Sequence, residues 1–506
     1  LPDISGFARL SDSEWRALGL RLAGIGLTSE YLRQIVALGG SLLPNLRLPI
    51  QRWHLSRMPG PAAGAAALLM FEDAVPEPAA CEALGGALLG RLREAGLICR
   101  RTDGACVSPF HLSIADRLYV FSDELAHGGD AVMGAAETTM QLCRAAYPSA
   151  RIGNALEIGC GAGTIALVLA QRVGRIIATD INPRALTMAR MNAAVNGIEN
   201  VEFRAGDAFS PVVSEVFDLV VSQPPFVARP PSARDTAYLF GGLRGHEMSL
   251  RLLATMGAHL APRGRAVLLI QWPEYGGPPP EDLVRGAIGG DDARVLFLRY
   301  PPADLDVHCA MYAAVESGGD SDEYARRVAA WSDHLDRLRI RALQSTLTVV
   351  QRDPVAPAWT AKMDVVPDCA DSITSAHIDR TIAAHDLASM PAEDLLDARL
   401  RPPEGIVFGK EYTLDEPRSP RIIARLPESS LGQAVDLCEA SLLLISLVAE
   451  AESVGRAVDD FAARQGLAKD KAVEQMLPAI RQALRLGVLV ATVSSRPPRP
   501  SCPACS

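Results

Sequence analysis

The sequence predicts an α/β fold, a mostly parallel sheet with helices on both faces, and three observations predict it. Strand-like and helix-like segments alternate from residue 155 to residue 300, the pattern that parallel sheets produce. A glycine turn, Gly159-x-Gly161-x-Gly163, follows a short apolar run and opens a helix. Asp180 stands about 20 positions beyond that turn, at the end of the next apolar run, where a carboxylate suits the two hydroxyls of a ribose.

Before this core, residues 1–126 read as a mostly helical lead domain. Ser11/Asp12 can cap a helix with Trp15, Leu18, Leu22 and Ile25 at helical spacing. Ser29 can cap a second, carrying Leu32, Ile35 and Val36, and Leu84–Ala95 is a third, stopped by Gly96. Strand-like residues around an Asp103-Gly104 turn follow. Helices before a hairpin suit a winged-helix-like module, which either recognises a macromolecule or packs on the core domain. Acids and arginines balance here, which favours packing.

The core domain spans 127–352. Thr138–Ala146 is an approach helix, closed by Pro148. Strands follow at 155–158, 175–179, 201–204, 217–221, 264–271 and 294–300, with helices at 164–173, 184–196, 247–260 and 280–288. After a Gly/Asp-rich break come an amphipathic helix, 323–338, and an apolar run, 346–350, that serves as an antiparallel last strand. Four loops, Gly159–Gly163, Asp180–Asn182, Gly206–Ala208 and Gln223–Phe226, fall at the carboxyl ends of successive strands. Ligands of such sheets sit there. Residues 353–404 read as a linker with short helices. Residues 405–495 read as a small α+β, winged-helix-like domain with strands at 406–408 and 421–426, helices at 431–450, 453–465 and 470–486, and a last strand. Residues 496–506 read as a flexible tail.

Composition bounds the partners. The 506 residues exceed one ordinary domain, and 48% hydrophobic with 22% charged residues is an ordinary soluble composition. A net charge of −9 offers nucleic acid no general attraction. The 10 cysteines show no framework spacing, which fits reduced thiols and a cytoplasmic location. No apolar run has the length of a membrane span, and no leader pattern opens the sequence. Cys502-x-x-Cys505 supplies two metal ligands where a structural zinc needs four, and the histidines lack metal spacing, so no metal is expected.

The glycine spacing and the preceding Glu157 differ from the G-x-G-x-x-G of dinucleotide enzymes, and no Lys-Ser/Thr follows to make a P-loop. With EIGCGAG, D-I-N-P, G-D-A and S-Q-P-P-F in this order, residues 127–300 resemble the class I S-adenosylmethionine (SAM)-dependent methyltransferases. The nearest branch is the small-domain one, which includes the release-factor glutamine and ribosomal-RNA N-methyltransferases. The resemblance implies a Rossmann-like core with a mostly parallel seven-stranded sheet. It implies SAM as cofactor, released as S-adenosylhomocysteine. The cofactor would meet Glu157, Gly159, Cys160, Gly161, Gly163, Asp180, Ile181, Asn182, Gly206, Asp207, Ala208 and Gln223, with Met133, Gly134 and Thr138 from upstream.

The resembled N-methyltransferases hold the acceptor with an (Asn/Asp/Ser)-Pro-Pro-(Tyr/Phe) loop. A side-chain oxygen and a proline carbonyl accept from the –NH2, and the ring stacks on the planar group. Here the catalytic set would be Gln223, Pro224, Pro225 and Phe226. Gln is one methylene longer, keeps a carbonyl acceptor and an NH2 donor, and can grip an amide or donate to an oxygen acceptor. Arg229, Tyr238 and Arg244 in the loop Ala228–Gly245 would meet an acidic or aromatic substrate, or are surface arginines of an ordinary loop. His246 and Glu247 offer a general base or a plain helix start. The expected activity is methyl transfer to a nitrogen or an oxygen of a small-molecule or peptide-like acceptor, with a homodimer as assembly. The rivals are an N-methyltransferase of RNA, DNA or a translation factor, and a SAM-binding scaffold without catalysis.

Overall fold

The computed structural model describes residues 1–36, 44–123, 129–233, 239–289, 292–317, 320–355, 357–365, 372–412, 421–427 and 434–492. Its contacts gather into two compact units, one of residues 1–291 with 297–354, the other of 292–296 with 355–506.

The first unit holds most of the sheet. Its strands are β1 (Ile152–Ile158), β2 (Val173–Asp180), β3 (Val201–Ala205), β4 (Phe217–Ser222), β5 (Leu260–Glu274), β6 (Ala293–Arg299) and β7 (Ala342–Arg352). Their order is β3-β2-β1-β4-β5-β7-β6, and Trp359–Asp364 follows β6 as an eighth strand, one more than the seven expected. β1 runs parallel to β2 and β4, β2 to β3, and β4 to β5, while β7 is antiparallel to β5. The chain steps outward from β1 to β3 and then returns to the other side of β1. That reversal opens a crevice above the carboxyl ends of β1 and β4.

Helices connect the strands: α1 (Glu137–Ala146), α2 (Thr164–Leu169), α3 (Pro183–Asn196), α4 (Glu247–Met256), α5 (Pro280–Ile288), α6 (Leu305–Ser317) and α7 (Ser321–Arg337). Local chemistry sets several ends. Asn182 caps α3 by accepting from Arg184 N, Pro183 sits in its first turn, and Gly197 ends it in the left-handed conformation. α2 ends at Leu169, four residues before the expected Val173. Val173 is fully buried and pairs with Ile152, so sheet pairing claims it from the helix. β5 and β7 outrun their expected spans because their ladder continues from Ala342↔Glu274 to Gln351↔Arg265. α6 was absent from the expected elements. Its buried His308, Cys309 and Ala313 alternate around the helix with exposed Val307, Met311 and Val315, so no apolar stripe marks it.

The lead region packs into the same unit. Ser11 and Glu14 form a capping box for the helix Asp12–Gly24, which buries Trp15, Leu18 and Leu22. The expected helix Leu84–Ala95 forms as Gly86–Ala95, and an unexpected helix, Glu77–Leu84, precedes it across Gly85. Two hairpins follow, Cys99–Arg100 with Cys106–Val107 and His111–Ala115 with Leu118–Ser122. Asn192 of α3 accepts from Phe121 N and donates to Phe121 O, both at 2.9 Å. A side-chain amide thus completes the outer edge of a hairpin strand, which ties the lead region to the sheet's helices.

In the second unit, residues 353–404 are more structured than a linker. They hold the strand Trp359–Asp364, a neighbour of β6, whose residues 293–296 group with this unit. They also hold the helices Ser375–Ser389 and Ala392–Asp397 and the strand Leu400–Arg401, which pairs with Val490–Ala491. Leu395 and Leu400 share a core with Val454, Ile480 and Leu484. Val407–Glu411, Arg421–Arg425 and Ala434–Leu437 form a three-stranded sheet. The last was expected as helix. Its backbone pairs with Ile422–Arg425 instead, and the helix begins at Glu439 behind a Cys438 cap. The helices Val454–Gln465 and Lys469–Arg485 complete the unit. The tail with Cys502 and Cys505 lies outside the described residues.

Candidate functional site

Three glycines in the loop after β1 do different work. Gly159, Gly161 and Gly163 have φ of +72°, +52° and +83°, a region L side chains rarely enter. A Cβ on Gly159 would meet no atom within 4 Å, so open space lies above it. A Cβ on Gly163 would come within 3.0 Å of the Ala189 Cβ, so this glycine lets α3 pack close. Gly161 N donates to Asp180 Oδ2 at 2.9 Å.

Asp180 knots the loops together. Its other oxygen, Oδ1, accepts from Asn182 N at 2.8 Å, and its own carbonyl accepts from Gly206 N at 3.0 Å. The loops after β1, β2 and β3 therefore meet on one residue. Burial pushes the Asp180 carboxyl above its usual range, and the N–H groups of Asn182 and Gly161 oppose that shift. Beside it Ile181 is 67% exposed, an uncovered apolar side chain at the lip of the crevice. Asn182 also donates to Asp130 O at 3.0 Å.

Beneath the turn, Glu157 is buried and accepts from Ala166 N at 2.8 Å. Burial holds its carboxyl well above the usual range. Cys160 is buried likewise, and its thiol is pushed up. Met133 passes over the turn: a Cβ on Gly161 would stand 3.5 Å from Met133 O. Gly134 is wedged against Ser122, whose Oγ is 2.6 Å from its virtual Cβ. On the far side, Ala208 has φ +50° and Gly206 +155°. Arg251 of α4 donates to both oxygens of Asp207, at 2.9 and 2.7 Å.

After β4 the chain runs Gln223-Pro224-Pro225-Phe226. Gln223 is half-buried; its Nε2 donates to Thr138 Oγ1 at 3.1 Å, and Thr139 Oγ1 donates to its Oε1 at 3.4 Å. The loop beyond returns against this segment. A Cβ on Gly241 would stand 2.5 Å from Pro225 O, and one on Gly245 2.3 Å from Phe226 O.

Residues 137–240 match the family model described as methyltransferase small domain. They form a methyltransferase small domain. Among relatives, a release factor glutamine methyltransferase of Xylella fastidiosa (strain Temecula1) is 35% identical over 131 residues, 23% of this chain and 46% of its own. One of Aliivibrio fischeri is 41% identical over 75 residues, 14% of this chain and 26% of its own. The chain thus spans less than half the length of these relatives. A solved ribosomal protein L11 methylase of Lactobacillus delbrueckii subsp. bulgaricus aligns at 19% identity and a TM-score of 0.25, over 32% of this chain and 72% of that one.

The strand-end loops have walls that their motifs did not announce. α6 and α7 form a helical hairpin between β6 and β7. Cys309, Ala313, Trp331 and Leu335 of this hairpin pack with Val227 and Ala228, and Phe226 lies against the same cluster. Arg327 Nη1 donates to Ser232 O at 2.6 Å, fastening the hairpin to the loop after Phe226. Arg229 lies over the Phe226-side loop itself: it donates to Ala233 O and stacks on Phe240 at 4.8 Å. Arg244 stacks on Tyr275 at 4.5 Å. Tyr238 lies outside the described residues. His246 is buried, its Nδ1 has no hydrogen-bond partner among the described residues, and burial lowers its pKa. A cleft of about 450 Å³ in the lead region, beside Arg9, Arg93 and Cys99, shares no residue with these loops.

Thr139, Gly241, Gly245, Arg251 and Arg327 were not singled out from sequence. The glycines carried a readable signal, since Gly241-Gly242-x-x-Gly245 returns directly after the Pro-Pro-Phe loop. Thr139, Arg251 and Arg327 carried none, because each meets its partner across a long stretch of chain.

Proposed function

We propose that this protein is a SAM-dependent methyltransferase that transfers a methyl group to a nitrogen of a peptide-like acceptor. The observation that carries this reading is Asp180, whose carboxylate accepts from Gly161 N and Asn182 N and whose carbonyl accepts from Gly206 N, so that one residue joins three strand-end loops. A carboxylate held by two backbone N–H groups is oriented to accept from two neighbouring hydroxyls. Bare backbone at Gly159 and the exposed Ile181 beside it suit the sugar and the flat base of one nucleoside. Glu157, Cys160 and Gly163 support that surface from below.

SAM, when bound, supplies an electrophilic methyl group on sulfur. The protein's part is position and electrostatics. Gln223 Oε1 and the Pro224 carbonyl would accept hydrogen bonds from an acceptor –NH2, aiming its lone pair. Phe226 would flank the planar group. The packed hairpin behind Phe226 would exclude water from that side. Asp207 is the member whose role depends on Arg251, which holds both its oxygens. The names of the relatives, release factor glutamine methyltransferases, support an amide nitrogen and a polypeptide acceptor. The lead region 1–126 serves this domain as a packing cover, a role the Asn192–Phe121 bonds support.

Calorimetric titration with SAM and S-adenosylhomocysteine tests the reading. Wild type should bind both. Asp180→Ala should weaken binding by roughly 100- to 10,000-fold, as expected for loss of two charge-assisted hydrogen bonds of about 1.5–3 kcal/mol each. Gln223→Ala should bind SAM normally and lose methyl transfer. Absence of binding by the wild type would sink the proposal.

A further inference from the structure

We infer that Thr138 and Thr139 are positioning residues that clamp the Gln223 side chain for the acceptor. The inference rests on the reading of Gln223 as the acceptor-gripping residue. Both threonines stand in the first turn of α1, the helix before the glycine turn. Gln223 Nε2 donates to Thr138 Oγ1 at 3.1 Å, and Thr139 Oγ1 donates to Gln223 Oε1 at 3.4 Å. The two contacts seize opposite ends of one planar amide.

Gln needs such a clamp. Its side chain has one more rotor than Asn or Asp, and an unheld glutamine samples many orientations. Two hydroxyls gripping the two ends of the amide fix its plane as well as its place. The grip leaves one Nε2–H and the second Oε1 lone pair for the acceptor. Thr139 is buried and Gln223 half-buried, so little water competes for these bonds. β-branching also restricts each threonine's χ1, so the hydroxyls are themselves held. The clamp links the helix above the cofactor crevice to the loop on the acceptor side. A substitution in α1 therefore acts on the acceptor.

The alternative is that Thr138 contacts SAM directly, the role its place upstream of the glycine turn suggests. Thr138→Val and Thr139→Val keep shape and remove the hydroxyl. We expect each to bind SAM within about twofold of wild type by calorimetry. Turnover at saturating SAM should fall roughly 10- to 100-fold, since small misplacement of a reacting group has that cost. Thr138→Ser and Thr139→Ser should restore most of it. Weakened SAM binding with turnover per bound SAM unchanged would overturn the inference, and so would full turnover in both valine variants. A second readout needs no acceptor. In protein labelled with 15N-glutamine, the Gln223 amide signal, assigned by its loss in Gln223→Glu, should be protected from exchange in wild type and lose protection in Thr138→Val. A freely exchanging wild-type signal would overturn the clamp. If wild type fails to bind SAM, the functional reading fails, while the amide signal still decides the clamp.

Discussion

Glu157 and Asp180 close neighbouring strands, and their surroundings separate them. Glu157 is 2% exposed and accepts one backbone N–H, while Asp180 accepts two at the crevice. Burial raises both carboxyls, Glu157 more. A raised folded-state pKa means that Glu157 contributes fully to stability below its unfolded value of about 4.5. The contribution is lost as pH rises through the folded value. Glu157→Gln keeps an acceptor for Ala166 N and mimics the protonated acid. We expect thermal denaturation to show equal midpoints near pH 4 and a variant more stable by roughly 2–4 °C near pH 8. A variant less stable than wild type at pH 8 would show that Glu157 is ionised and paired. The sequence placed Glu157 among cofactor contacts; its depth under the turn comes from packing that a one-dimensional pattern does not carry.

Among the elements, the loop that returns on the Pro-Pro-Phe segment is the most tightly specified. Gly245 has φ +91°, and a Cβ there would stand 2.3 Å from Phe226 O and 2.9 Å from Ala228 N. Both conformation and space demand glycine. Gly245→Ala should leave SAM affinity within about threefold and reduce turnover by roughly 100-fold, because the acceptor side moves and the cofactor side does not. Loss of SAM binding in calorimetry would mean that the two sides are one element. α3 was legible because Asn182, Pro183 and Gly197 punctuate it. α6 was illegible because half its apolar residues face outward, and Ala434–Leu437 read as helix because no glycine or proline separates it from the helix that begins at Glu439.

Across the molecule, the contacts divide into two units, and the boundary passes through β6. Calorimetric unfolding should therefore show two transitions rather than one. Asn192 reports on the first unit alone. It is fully buried and satisfies both backbone groups of Phe121. Asn192→Leu orphans that N–H and C=O and should cost about 3 kcal/mol, lowering one transition and leaving the other in place. A shift of both would mean that the units unfold together. Among the described residues no helix is long and apolar enough to cross a membrane, and no group of three His, Cys, Asp or Glu side chains could hold a metal ion.

The sequence by itself determined the parallel core and the four loops at its strand ends. These are local signals: a glycine that must turn, an acid that must end a strand, an alternation that must bury both faces. Only the tertiary structure decided who holds those residues. The threonines on Gln223, the arginine on Asp207, the hairpin behind Phe226 and the asparagine on Phe121 all act between segments far apart in the chain. Such contacts depend on the sheet's strand order, which brings distant residues to one edge of one crevice, and no stretch of neighbouring residues encodes that order.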